Sequence, residues 1–129
     1  MKEITNLMVY LYNLKKTDFM GYKLSKDNPY TYHHIKKRCN GGEKTIKNGA
    51  ILTKLAHEYL HIIETRDLEL YVYINNVLLQ INEQGFAPLK RQILAIWYML
   101  EIFEKEHKND KTAKGKNLIK NEYRRRNGR

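Results

Sequence analysis

Cysteine is nearly absent from this 129-residue chain: Cys39 stands alone, so no disulfide can form within it. A single thiol also cannot close the paired-cysteine zinc motifs of many small metal-binding domains, which leaves Cys39 as a packing residue or an idle thiol. Acidic residues are scarce: 14 Asp and Glu stand against 24 Lys and Arg, a formal net charge of +10 that favours an anionic partner such as nucleic acid. Long apolar runs are missing too. The longest uncharged one, Ile93 to Leu100, is far too short to span a bilayer, and the N-terminus lacks a basic-then-apolar leader. No membrane association is expected, and a cytoplasmic location is.

The positive charge is unevenly placed. Residues 105–129 hold ten Lys and Arg against three Asp and Glu, a surplus of seven, which leaves a surplus of only three for residues 1–104. One domain over residues 1–108 is expected, followed by a basic, flexible tail over 109–129. Within that tail Lys114, Lys116, Lys120, Arg124, Arg125 and Arg126 are the candidate phosphate contacts.

Periodicity and breakers give a mostly helical α+β order. Ile4 to Leu14 reads as a short helix or strand, with helix favoured, and polar residues 15–29, broken by Gly21, Asn28 and Pro29, read as a loop or lead-in arm. Thr31 to Lys37 suits a strand, Gly41-Gly42 a turn, and Gly49 to Leu52 a second strand. Thr53 is a natural N-cap for a helix through Glu64, because its hydroxyl can accept an orphan N–H of the first turn. Two further helices are predicted, Leu68 to Asn82 and Leu89 to Lys105, separated by Gly85 and Pro88. On the last, Leu89, Ile93, Ile96, Trp97, Leu100 and Phe103 form a stripe at helical spacing that reads as core. His107, outside these patterns, reads as a surface residue.

Four of the five histidines fall within residues 30–64, YTYHHIKKRCNGGEKTIKNGAILTKLAHEYLHIIE. His57 and His61 are four apart on the predicted helix, one above the other, so two imidazoles there can share one metal ion. His33 and His34 are neighbours on a predicted strand and must point to opposite faces. One of them can complete a three-nitrogen site with His57 and His61 while the other faces a substrate.

The His33-His34 pair, the Gly41-Gly42 turn, Asn48 before an apolar strand and the His57-x-x-x-His61 helix together resemble the HNH, or ββα-metal, nuclease family. The likeness is to the branch containing the nuclease domains of DNA-degrading colicins. "YTYHHI", "NGAIL" and "HEYLHIIE" also resemble short HNH-type proteins carried by phages and mobile elements of low-GC Gram-positive bacteria. The resemblance implies a ββα-metal module at about residues 30–65 flanked by helices. It further implies His33, His57 and His61 as ligands, His34 as general base and Asn48 as the residue that pins the loop and orients that base. Three imidazoles suit Zn²⁺ or another divalent transition ion, one per chain, better than Mg²⁺. Where the colicin branch has an acidic residue two positions before the histidine pair, this chain has Thr31, and Lys26 is only a loose counterpart of an upstream basic residue.

The expected activity is metal-dependent hydrolysis of phosphodiester bonds in DNA, within a bacterial host cell, and a homodimer is compatible with it. The alternative is a catalytically idle, zinc-stapled scaffold that binds a protein target such as a host defence nuclease, as an anti-CRISPR.

Overall fold

The structure is a computed structural model that describes residues 2–110. Helix α1, Lys2–Leu11, leads through an irregular arm to strand β1, Tyr30–His34. A second irregular stretch with two single-turn 3₁₀ segments, Arg38–Asn40 and Ile46–Asn48, returns to strand β2, Gly49–Thr53. Three helices follow: α2, Lys54–Arg66; α3, Leu68–Gln84; and α4, Lys90–Glu106. The predicted mostly helical α+β class is the observed one. No described helix is long and apolar enough to cross a membrane. The tail cations Lys114, Lys116, Lys120, Arg124, Arg125 and Arg126, and most of the predicted flexible tail, lie outside the described residues.

The two strands pair antiparallel, with Tyr30 opposite Thr53, Tyr32 opposite Ile51 and His34 opposite Gly49. All five residues of β2 are buried. At its start a side chain on Gly49 would meet the Tyr32 ring at 2.5 Å and Met8 Sδ of α1 at 2.9 Å, so only glycine lets these elements close. Thr53 ends the strand and caps α2, its Oγ1 accepting from Ala56 N at 3.4 Å. Asp67 caps α3 in the same way through Leu70 N, and Gly85, at φ 82°, closes that helix in the left-handed conformation.

Helix α4 buries Ile93, Ile96, Trp97, Leu100 and Phe103. Leu89, expected on that stripe, is only half-buried because it sits at the N-cap, where its N–H donates to the Gln92 side chain at 2.8 Å. Trp97 is 2% exposed and its indole donates to Met20 O at 2.7 Å. His107 is not a plain surface residue: half-buried at the end of α4, its ring lies 4.3 Å from the Phe103 ring, and Nδ1 donates to Phe103 O.

The arm over residues 12–29 is irregular, as expected, yet far from peripheral. Phe19, Met20 and Tyr22 are completely buried, and Phe19 N donates to Ile51 O at 2.9 Å along the outer edge of β2. Their anchor is Asp18, whose carboxylate accepts from Met20 N at 2.8 Å, Tyr22 N at 2.9 Å and Thr53 N at 2.6 Å. Burial pushes its pKa up to about 6 against the lowering effect of those bonds, so it is ionised at neutral pH.

Candidate metal centre

Strand β1 ends in His33 and His34. As the strand alternation requires, His33 turns toward α2, where His57 and His61 lie on one face. The ring centroids are 5.3 Å apart for His33 and His57, 6.0 Å for His33 and His61, and 5.0 Å for His57 and His61. One nitrogen from each ring lies within 4.8 Å of the other two, and these three residues can hold a metal ion. Around a tetrahedral zinc with ~2.0–2.1 Å bonds, such nitrogens close to roughly 3.3 Å, a short contraction for side chains.

Hydrogen bonds to the opposite ring nitrogens fix which atom of each imidazole is free. The Thr31 hydroxyl donates its one proton to Leu52 O at 2.8 Å, so at 2.8 Å from His57 Nδ1 it must accept, leaving His57 Nε2 as a lone pair. Asn75 of α3 donates through Nδ2 to Ile35 O at 3.4 Å, which turns its Oδ1 toward His33 Nε2 at 2.9 Å and leaves His33 Nδ1 as the donor atom. Glu64 accepts from His61 Nδ1 at 3.2 Å and leaves His61 Nε2. Each imidazole is thus oriented and held in one tautomer by an outer partner, the arrangement that metal-binding histidines use.

Electrostatics agree with lone-pair donors. Burial, against the raising effect of the Asn75 bond and with help from the neighbouring imidazoles, pushes His33 down to about 4. Burial first, then His61 and His34, hold His57 at about 4 as well. Both are therefore neutral at pH values where an unperturbed imidazole is partly charged. Glu64 also pairs with Lys37; burial opposes its ionisation, but hydrogen bonds from Lys37 and His61 outweigh that and lower its pKa.

His34 lies on the other side of the strand, its ring 4.9 Å from that of Tyr32. Its Nε2 is buried without a hydrogen-bond partner among the described residues. It lines the cavity of about 300 Å³ that also contains His33, His57 and His61, and likewise a larger cleft of about 890 Å³ between α1 and β1. Burial lowers its pKa first, and the charges of Arg38 and Lys44 lower it further.

Asn48 pins the loop, as its place in the sequence suggests. Its Oδ1 accepts from Lys36 N at 2.7 Å, while Nδ2 donates to Lys36 O and Glu43 O, each at 2.9 Å. A side chain on Gly42 would collide with Lys36 O at 1.8 Å, so this glycine is what allows the loop to fold against Asn48. By occupying the polar groups of Lys36, Asn48 also ends β1 at His34, short of the predicted Lys37. Cys39 is exposed, so it is not the packing residue of the two roles considered, and it lines the cavity that holds the three histidines.

Sequence reasoning missed Asn75, Thr31 and Glu64 as partners of the three histidines. Asn75 left one trace, an amide in the apolar run YVYINNVLL. No family model, curated protein or solved structure matches this chain.

Proposed function

We propose that this chain is an HNH-type endonuclease that hydrolyses phosphodiester bonds in DNA, with one Zn²⁺-class ion held by His33, His57 and His61. The observation that carries the reading is the junction at His34: an imidazole whose buried Nε2 has no hydrogen-bond partner among the described residues, beside the cavity lined by three histidines with outer partners. The donor set fits the ion, since three imidazole nitrogens are the ligands zinc prefers and Mg²⁺ does not. When bound, the ion supplies positive charge to the phosphate oxygens and the departing oxygen.

The protein's own groups supply the rest. His34, kept neutral by burial and by Arg38 and Lys44, takes a proton from the attacking water as the oxygen–phosphorus bond forms and the ester oxygen on the far side leaves. Asn48 holds the loop that carries Arg38 at a fixed distance from β1. Thr31, standing where the colicin branch has a carboxylate, orients His57 with a neutral hydroxyl.

That replacement is also what favours the second reading, an idle metal-stapled scaffold that binds a protein target such as a host defence nuclease. His34→Ala separates the two. In a nuclease the variant keeps fold and metal but loses plasmid cleavage by roughly two to four orders of magnitude. In a scaffold the wild type cleaves no DNA with Zn²⁺, Mn²⁺, Ni²⁺ or Mg²⁺, and His34→Ala changes nothing.

A further inference from the structure

The two cavities that meet at His34 are lined by different elements. The smaller is walled by the metal histidines, Lys37 and Tyr71. The larger, about 890 Å³, runs between Thr5 and Asn6 of α1 on one side and Tyr30, Thr31 and Tyr32 of β1 on the other, and ends at Glu43 and Lys44. Tyr32, His34 and Arg38 line both, so the two cavities share a wall at His34, one reaching to α1 and the other to the histidine cluster.

Its volume falls in the ~300–1,000 Å³ range of small-ligand pockets, room for a nucleotide-sized unit and too little for a folded partner. Charge at the floor is mainly positive. Arg38, Lys44 and Lys37 stand there against Glu43, with Lys37 already paired to Glu64. Lys44 lies 5.4 Å above the Tyr32 ring, which holds its ammonium over the groove. Arg38 is exposed in the loop that Asn48 pins. Cations spaced along an apolar and aromatic wall are what a polynucleotide strand requires, phosphates outward on the cations and a base against the rings.

We propose that one nucleic-acid strand lies in the groove between α1 and β1, with Arg38 and Lys44 holding the phosphates next to the one delivered to His34. This deepens the nuclease reading and rests on it. It assigns substrate holding to the folded domain, independently of the basic C-terminal residues. Arg38 and Lys44 are then positioning residues for the strand, while His34 alone takes the proton.

The test is fluorescence anisotropy of a short fluorescein-labelled DNA strand on the full chain, without added divalent ion, across a salt series. Arg38→Ala/Lys44→Ala should weaken binding by about tenfold or more and flatten the salt dependence by about one counterion per cation removed. Asn6→Trp, at an exposed helix position on the groove wall, should weaken binding by bulk while leaving the salt slope unchanged. Arg91→Ala/Lys105→Ala removes the same charge from α4, at exposed residues that line neither cavity, and should change binding far less. Wild-type affinity in the first two variants, equal weakening in the α4 control, or no binding by the wild type overturns the groove. If the wild type cleaves DNA while the groove variants bind normally, only the groove assignment fails. If it binds in the groove but cleaves nothing with any of the four ions, only the nuclease reading fails.

Discussion

Two long irregular stretches flank the first strand, and they use opposite chemistry to hold their shape. Residues 12–29 enter the core around a buried carboxylate, Asp18, which only accepts and so collects three backbone N–H groups. Residues 35–48 stay at the surface around an amide, Asn48, which accepts once and donates twice, replacing strand partners on both sides of Lys36. The first arrangement ties an arm to β2 and stabilises the whole fold. The second holds a loop that needs only local order, in the place where the candidate site opens to solvent. The loop beside the site therefore has an anchor of its own, while Asp18 holds the arm and, through Thr53, the start of α2.

The sharpest way to break this contrast is Asp18→Ala. It leaves three buried N–H groups without an acceptor, and at about 1–3 kcal/mol for each unsatisfied group the loss should be about 3 kcal/mol or more. Thermal melting should fall by roughly 10 °C or more. A shift of only a degree or two would mean that the arm is not anchored by this carboxylate.

Asn75→Ala acts where the second stretch begins, since the same amide accepts from His33 and donates to Ile35 O. Zinc affinity, read by competition with a chromophoric chelator, should drop by about 10- to 100-fold, as for other outer partners of ligating histidines. Melting of the metal-free protein should move far less than in Asp18→Ala. Unchanged zinc affinity would remove Asn75 from the centre.

Asn48→Ala should cost about 1 kcal/mol, because its bonds are exposed and water can replace them. Hydrogen exchange should show the Lys36 amide losing protection while the β2 amides keep theirs. Loss of protection throughout β2 would mean that the two anchors are not separate.

The last effect concerns pH, where the core and the site carry opposite signs. His33 and His57 are lowered from 6.5 to about 4, so the unfolded chain binds protons that the metal-free folded state refuses, and stability is lost as pH falls through that window. Asp18 is raised from 3.8 to about 6, so its contribution grows as pH falls from about 6 toward 3.8. These losses, to which the lowered His34 adds in the same direction, outweigh the one gain and give a net fall in melting temperature on acidification. Asp18→Asn removes the opposing gain and should steepen that fall; a melting temperature that rises below pH 6 would reverse the assignment.

Much of the site was legible because its spacing is local. The His57 to His61 interval, the Thr53 cap and the alternation of His33 with His34 follow from helix and strand geometry alone. The buried arm was not legible, because Phe19, Met20 and Tyr22 sit in a segment without a period and only tertiary contact buries them. Nor were the outer partners of the histidines. Asn75 comes from 42 residues beyond His33, and Thr31 reaches His57 across 26 residues through the pairing of the strands.

Thr53 carries a consequence for how the chain reaches this state. Its backbone N–H is held by Asp18, 35 residues earlier, while its side chain starts the helix that bears His57 and His61. The helix origin is thus tied to a segment 35 residues earlier, and bringing the two together closes a long loop at an entropic cost. The histidine hairpin and helix therefore lean on a contact from outside their own span. A peptide of residues 30–65 would contain every proposed ligand and still lack the carboxylate that fixes where they stand, so it would take up metal as a loose chelator without the native geometry.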